Sequence, residues 1–146
     1  MNVRSLGYVL IESTDPQQWL EFGTEVLGLM VAPTMPDDGV VYLRMDERPF
    51  RLAIVPGDSD RLLLCGLELL DEANFELARE ELAAAGVEVI RGTAEEIAQR
   101  RVRDLIRFDD PAGNTLELYH GADLDYTKFV SPLGIAAFET GFNGNA

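Results

Sequence analysis

Hydrophobic and polar residues alternate along residues 5–12, which is the pattern of a half-buried β-strand. The next segment changes to a helical period. Asp15 is a typical N-cap, Pro16 suits the first helical position, and Gly28 can end the helix. An apolar stripe of helical spacing runs along this segment, and we expect it to lie in the core. The stripe is formed by Trp19, Phe22 and Val26, with Gly23 and Leu27 beside them.

Three short strand-like segments follow this helix, separated by stretches rich in Pro, Asp and Gly. They span residues 29–32, 40–44 and 50–55. From residue 62 the same order begins again, with a strand, a helix and three strands, and with one extra helical turn before the last two strands. These elements span residues 62–69, 72–85, 87–90, 94–100, 102–108 and 115–120.

Each half of the chain therefore has the order βαβββ, and the repeat is visible at single positions. Leu52-Ala53-Ile54-Val55-Pro56-Gly57 aligns with Leu116-Glu117-Leu118-Tyr119-His120-Gly121. Two copies of one unit fill about 120 residues, which predicts an α+β fold built from paired modules. Module one covers residues 1–57 and module two residues 62–121, so that residues 1–121 form one paired domain. Residues 122–146 mix apolar residues with Gly, Pro and Asp, and we expect an arm or linker there.

Glu117 places a carboxylate in a strand that is otherwise apolar. The turn signal at residues 110–113 separates this strand from the preceding one. In the strand, Leu116, Leu118 and His120 share one face, whereas Glu117 and Tyr119 share the other. An unpaired buried charge is costly, so we expect Glu117 to be hydrogen-bonded or partly hydrated.

The chain contains one basic cluster, at residues 100–103. Cations are favoured near a helix C-terminus, and we expect a solvated helix end there rather than an anion site. The chain also has a single cysteine, Cys65, which lies in an apolar strand and cannot form an internal disulfide. We expect Cys65 to be a small packing residue.

Charge and composition narrow the range of partners. The formal net charge is −14, which argues against nucleic acids and anionic membrane surfaces, because both are bound through clustered Lys and Arg. A solvated acidic surface is the simplest interpretation, and an acidic groove for a cationic ligand is the alternative. No apolar run approaches the roughly 20 residues needed to cross a bilayer, and the N-terminus lacks a signal sequence. We therefore expect a cytoplasmic protein.

The paired modules resemble the vicinal oxygen chelate superfamily, which also includes the glyoxalases and bleomycin-resistance proteins. In this superfamily two such units curl a mixed sheet into a partly open barrel. Six segments, spread over nearly the whole chain, are similar to the N-terminal domain of type I extradiol ring-cleaving dioxygenases, in particular the 2,3-dihydroxybiphenyl 1,2-dioxygenases. These segments are Arg4-Ser5-Leu6-Gly7-Tyr8, Leu27-Gly28-Leu29-Met30, Phe50-Arg51-Leu52-Ala53-Ile54, Asp110-Pro111-Ala112-Gly113, Leu116-Glu117-Leu118-Tyr119-His120-Gly121 and Phe138-Glu139-Thr140-Gly141.

The resemblance implies that a second, C-terminal domain binds Fe(II) through two histidines and a glutamate. Carried onto this chain, the ligand positions are Tyr8, Leu64 and Glu117, with Ala53 at a fourth position used elsewhere in the superfamily. Of these, only Glu117 could coordinate a metal. The chain has one histidine, His120, three positions from Glu117 and hence on the other face of the strand. We therefore assign no metal ligand and no catalytic residue to this chain, and no substrate-binding residue is identified.

The function implied by the resemblance is that of a non-catalytic N-terminal domain in an Fe(II)-dependent extradiol dioxygenase, which cleaves catechol-type rings with dioxygen. Iron is then expected in the full-length parent and not in this chain, which we expect to be inactive alone. The arm would lead to the missing C-terminal catalytic domain or contact another subunit, and we expect a homo-oligomer.

Two alternatives belong to other functional classes. The first is a stand-alone binding protein of the same superfamily that sequesters a small aromatic or cationic ligand. The second is a single-domain metalloenzyme of the glyoxalase type, which Tyr8, Ala53 and Leu64 at the ligand positions disfavour.

Overall fold

The computed structural model describes residues 1–139. The last part of the predicted arm, including half of the segment that begins at Phe138, lies outside the described residues. The chain divides into two compact units. Of the described residues, the first unit comprises Tyr8–Leu63 and residues 124–139, and the second comprises Met1–Gly7 and Leu64–Asp123. Strand β1 (Val3–Ser13) and strand β5 (Arg61–Leu69) each contribute residues to both units.

The first unit has the predicted βαβββ order. Its strands follow one another in the sheet as β2-β3-β4-β1, with β1 parallel to β4 and the other neighbours antiparallel. The Asp15 side chain accepts a hydrogen bond from the backbone N–H of Gln18 at the start of α1, as the sequence predicts. The elements after β1 are α1 (Pro16–Glu21), a π-helical turn (Phe22–Val26), β2 (Met30–Val31), β3 (Val41–Arg44) and β4 (Leu52–Pro56).

The second unit repeats this order with the predicted extra helix. Its strands lie in the order β5-β8-β7-β6, with β5 parallel to β8 and the other neighbours antiparallel. The fold is therefore α+β with mixed sheets, and the predicted strand and helix order is confirmed. After β5 come α2 (Glu72–Ala84), β6 (Ile90–Arg91), α3 (Ala94–Arg100), β7 (Asp104–Asp109) and β8 (Thr115–His120).

Each unit has its own hydrophobic core. In the first unit the rings of Tyr8 and Tyr42 both contact Phe50, with centroid distances of 5.5 and 5.4 Å. In the second unit α2 packs its apolar face on β7 and β8. That core contains Leu69, Phe75, Ala78, Leu82, Ile106 and Leu118.

The first helix differs from its prediction. It is regular only as far as Glu21, and it then becomes a π-helical turn in which the Leu27 N–H donates to the Phe22 carbonyl at 3.1 Å. Instead of the predicted stripe, the small residue Gly23 lies against β3. Phe22 is 44% exposed and Val26 is 62% exposed, so the prediction that they lie in the core is wrong for this chain. The wider turn changes which side chains face the sheet, and helical period alone does not reveal such a change.

The arm packs on the first unit through Arg44, the last residue of β3. The Arg44 side chain is 1% exposed, and its guanidinium donates to three backbone carbonyls. These are the carbonyls of Asp46 (2.7 and 3.0 Å), Thr127 (2.9 Å) and Asp125 (3.2 Å). The Asp125 carboxylate also lies 3.3 Å from Arg44 Nη1. The arm is therefore fixed to the unit that contains module one.

Asp125 is the buried carboxylate of this contact. Burial alone would raise the pKa of Asp125, but hydrogen bonds from Thr127 and Thr34 and the charge of Arg44 outweigh it and lower the pKa. Further along the arm, Ser131 Oγ donates to the Gly28 carbonyl at 2.7 Å. Within residues 1–139, no helix has the length and apolar character required to cross a bilayer.

Candidate functional site

Glu117 lies in the middle of β8 and is fully buried, with 0% of the residue exposed. The sheet register places Gly66 of β5 on one side of it and Arg107 of β7 on the other. Glycine contributes no side chain there, whereas Arg107 brings a cation beside the carboxylate. The hairpin between β7 and β8 thus supplies a partner for the one acidic residue of its strand.

Two arginines donate hydrogen bonds to the carboxylate oxygens of Glu117, and both oxygens accept at least one. Arg107 donates to Oε1 through Nη2 at 2.6 Å and through Nε at 3.2 Å. Arg100, the last residue of α3, donates to Oε2 through Nε at 3.1 Å and to Oε1 through Nη2 at 3.2 Å. Charge-assisted bonds of this kind compensate for the loss of water around a buried carboxylate.

A second carboxylate completes the cluster. Glu96 accepts from Arg107 Nη2 at 2.8 Å and also closes the capping box of α3, where it accepts from the Thr93 N–H at 2.9 Å. The Thr93 hydrogen bond is the largest cause that lowers the pKa of Glu96, and burial opposes it. Burial alone would lower the pKa of Arg107, but its bonds to Glu117 and Glu96 raise it. We call Glu96, Arg100, Arg107 and Glu117 the charge cluster.

Arg100 corrects one expectation from the sequence. Residues 100–103 were expected to form a solvated helix end, but Arg100 is only 7% exposed and points to Glu117. Arg101, which ends α3 with a φ of 57°, pairs with Asp123 instead, at 2.9 Å. The burial of Arg100 follows from the buried carboxylate, which requires nearby cations.

The other positions implied by the resemblance carry side chains unsuited to a metal. In the first unit, Tyr8 is buried against Phe50, and Ala53 is a buried small residue of β4. In the second unit, Leu64 of β5 is buried and apolar. His120, also buried, lies with its ring 5.0 Å from the Phe75 ring.

These residues do not fit an iron centre. Fe(II) of the expected kind needs two imidazoles and a carboxylate with free lone pairs. Glu117 already accepts four hydrogen bonds from arginine. Among the residues that the structure describes, no group of three or more His, Cys, Asp or Glu side chains could hold a metal ion.

Sequence reasoning identified Glu117 but missed its two partners. A signal for Arg107 was present, because the turn at residues 110–113 fixes the hairpin register and pairs residue 107 with residue 117. No comparable signal marks Arg100, whose approach depends on how α3 packs.

Comparisons with known proteins identify a family that this chain resembles. A family model described as "Dihydroxybiphenyl dioxygenase BphC D1" matches residues 6–57. The chain is 49% identical over 144 residues to an iron-dependent extradiol dioxygenase of Rhodococcus jostii (strain RHA1), covering 99% of this chain and 47% of the relative. It is 38% identical over 145 residues to a biphenyl-2,3-diol 1,2-dioxygenase of Paraburkholderia xenovorans (strain LB400), covering 99% of this chain and 48% of the relative.

The fold of the chain is also similar to that of a solved dioxygenase structure. The crystal structure of BphC, a halotolerant catechol dioxygenase, matches with a TM-score of 0.86 and 31% identity, covering 94% of this chain and 46% of that one. The chain thus spans about half the length of the curated relatives it matches.

Proposed function

Because the chain is an extradiol dioxygenase-like domain of the vicinal oxygen chelate superfamily, we propose that it is the non-catalytic N-terminal half of a ring-cleaving enzyme. The parent uses Fe(II) and dioxygen to open catechol-type rings, and its iron is bound by the other half. The name of the Rhodococcus jostii relative, an iron-dependent extradiol dioxygenase, supports the choice of metal.

The charge cluster is the observation that carries this proposal. In a domain with an iron site, Glu117 would direct an oxygen toward the metal. Here Arg100 and Arg107 supply the positive charge that balances it, and both of its oxygens are used. The other ligand positions implied by the resemblance, Tyr8 and Leu64, offer no imidazole.

The role of this half is structural. Its charge cluster joins α3 to the β7–β8 hairpin, and the Arg44 contact joins the arm to the first unit. Neither set of residues performs a chemical step. Each stabilises the unit in which it lies, and the arm leads from the first unit toward the rest of the parent.

The test compares this chain with the full-length parent after anaerobic loading with Fe(II). We expect the parent to bind iron and to convert catechol, 3-methylcatechol or 2,3-dihydroxybiphenyl into a yellow ring-opened product. The 146-residue chain should retain no stoichiometric iron after desalting and should form no product. Metal analysis by mass spectrometry and absorbance of the product give two independent measurements.

A variant of the parent shows whether Glu117 is a metal ligand or a carboxylate with a structural role. Glu117→Gln removes the charge but places an amide oxygen and an amide nitrogen near the positions of the two carboxylate oxygens. We expect the folded Glu117→Gln parent to keep its iron content, because Glu117 does not contact the metal. Ring opening by the isolated chain, or loss of iron from the folded variant, would contradict the proposal.

A further inference from the structure

The first unit contains a cavity of about 550 Å³ beside the start of α1. Its walls come from the end of β1, from α1 with the π-helical turn, and from the connection between β4 and β5. Every lining residue belongs to the first unit. We call it the Trp19 cavity. Its volume lies in the range of pockets that hold small molecules, and the charge cluster and the Arg44 contact use none of its residues.

Two aromatic rings form one wall of the Trp19 cavity. Trp19 and Phe22 lie one helical turn apart, with ring centroids 5.9 Å apart and an angle of 89° between the rings. In this edge-to-face arrangement the two rings are not stacked, and Phe22 is 44% exposed. The face of an aromatic ring carries partial negative charge and attracts cations. The wall therefore suits a cation with apolar substituents.

A carboxylate lines the same cavity. Asp60 Oδ1 accepts from the Thr14 N–H at 3.0 Å and from Ser13 Oγ at 3.1 Å, and Oδ2 accepts from Thr14 Oγ1 at 3.1 Å. The Thr14 N–H bond is the largest cause that lowers the pKa of Asp60. The donors are all neutral, so they hold the carboxylate in place and leave its negative charge in the cavity.

The charge of Asp60 sets it apart from other acidic residues of the first unit. Three of these form ion pairs with arginine, namely Glu12 with Arg61, Asp46 with Arg51 and Asp125 with Arg44. Within residues 1–139, Asp60 forms no ion pair. No group of three or more potential metal ligands occurs in that range either, whereas Ca²⁺ needs six or more oxygen ligands. The wall and its charge thus favour an organic cation over a metal ion.

We propose that the Trp19 cavity binds a small organic cation of the quaternary ammonium class. Trp19 and Phe22 contact its alkyl groups, and Asp60 balances its charge. Aromatic rings combined with a negative charge recognise such cations because the substituents are apolar while the group stays charged at every pH. The net charge of −14 also raises the concentration of cations near the protein surface. The inference is independent of the proposed function, because it concerns residues of the first unit alone.

Trp19 is the only tryptophan of the chain, so its fluorescence reports directly on the cavity. Choline is titrated into the 146-residue chain at constant ionic strength, in place of sodium chloride. The control ligand is 3,3-dimethylbutan-1-ol, which has the shape of choline but no charge. We expect saturation by choline, and half-saturation by the alcohol at a concentration about tenfold higher, because the alcohol lacks both attractions.

A matched pair of variants tests the carboxylate. Asp60→Asn keeps an oxygen that can accept from Thr14 and Ser13 but removes the charge. Asp58→Asn makes the same change of charge in the same connection, at a residue that does not line the cavity. We expect Asp60→Asn to raise the half-saturating concentration of choline about twofold to fivefold, and Asp58→Asn to leave it unchanged.

A second pair tests the aromatic wall. Phe22→Leu removes the ring but keeps an apolar side chain, whereas Phe22→Tyr keeps the ring. We expect Phe22→Leu to raise the half-saturating concentration about twofold to fivefold and Phe22→Tyr to leave it nearly unchanged. Because Phe22 is exposed, both variants should fold, and circular dichroism checks this.

Three results would overturn the inference. The first is equal half-saturation by choline and the neutral alcohol, since it would show apolar binding without recognition of charge. The second is the absence of saturation below about 100 mM choline, far above the millimolar range of weak specific ligands. The third comes from a chain that ends at Glu139. Binding that appears only in this shorter chain would show that residues 140–146 fill the cavity in place of an external cation.

Discussion

β4 of the first module and β8 of the second occupy equivalent places in the sheet order of their modules, but they bury different kinds of side chain. Each pairs in parallel with the first strand of its module and antiparallel with the strand before it. At the aligned position β4 carries Ala53, which is buried opposite Tyr42. β8 carries Glu117, which is buried opposite Arg107. The same architecture is thus completed by apolar packing in one module and by ion pairs in the other.

The difference shows that a carboxylate inside such a domain is weak evidence for a metal site. A buried charge persists when cations and hydrogen bonds accompany it, whatever its function. Ala53 requires no such partners, and its module has no counterpart of α3 to bring a second arginine. The extra helix of the second module, α3, therefore supplies one of the cations that neutralise the buried carboxylate of Glu117.

The largest expected effect comes from breaking the charge cluster. Glu117→Ala leaves the guanidiniums of Arg100 and Arg107 without their shared carboxylate in a buried site. We expect a loss of about 3–5 kcal/mol in the free energy of unfolding, the usual cost of removing one partner from a buried ion pair. Urea denaturation followed by circular dichroism measures this loss.

An apolar replacement of Glu117 and its two arginines is the control. Glu117→Leu combined with Arg100→Met and Arg107→Met removes the charges together and leaves no unpaired partner at Glu117. We expect this triple variant to lose less stability than Glu117→Ala, since well-packed apolar groups often replace a buried ion pair at little cost. A triple variant that loses as much or more would show that the cluster contributes beyond mutual neutralisation.

The two modules also show which parts of the structure can be predicted from the sequence. α2 was predicted at residues 72–85 and runs from Glu72 to Ala84, because a local N-cap and a regular apolar stripe define it. The hairpin register that pairs Arg107 with Glu117 was equally local, although it was not recognised. Short-range signals thus determine most of the elements.

What the sequence did not predict depends on contacts between distant segments. The burial of Arg100 requires α3 to lie over β8, and the contact of Arg44 with Asp125 joins residues 81 positions apart. The exposure of Phe22 shows a different limit. A helical stripe predicts one covered face, but the π-helical turn that begins at Phe22 changes which side chains face the sheet.

The arm offers the next comparison, between a buried and an exposed arginine of the first unit. Arg44→Met removes the donors that hold Asp125 and Thr127, and it leaves the Asp125 carboxylate buried without its cation. We expect the arm to open more easily by about 3 kcal/mol, which corresponds to roughly a hundredfold rise in its open population. Lys128 is the only lysine of the chain, so endoproteinase Lys-C reports on this opening at a single site.

Arg61→Met is the matched control for the arm. Arg61 forms an ion pair with Glu12, but its side chain is mostly exposed, and such pairs contribute little. We expect its rate of cleavage at Lys128 to equal that of the unmodified chain. Unchanged cleavage in Arg44→Met would mean that the remaining arm contacts, such as Ser131 with Gly28, are sufficient to hold it.

The smallest expected effect compares the glycines that follow the two module helices. Gly28 and Gly86 have nearly the same conformation, with φ of 72° and 74°. A side chain in this region costs about 1–2 kcal/mol, so Gly86→Ala, which meets no atom within 4 Å, should lose about that much in the free energy of unfolding. At Gly28 an added Cβ would lie 2.5 Å from Ile135 Cδ1 and 2.9 Å from Ser131 Oγ, both on the arm.

Gly28→Ala should therefore cost more than Gly86→Ala, by about 1–3 kcal/mol for overpacking against the arm. The excess should vanish if the arm is first released, so the double variant Gly28→Ala with Arg44→Met should lose less stability than the sum of the two single variants. Urea denaturation of the unmodified chain, the two single variants and the double variant gives the four free energies of unfolding for this comparison. Additive losses would mean that residues 131–135 stay on Gly28 without the Arg44 contact, and that the arm is held at two independent points.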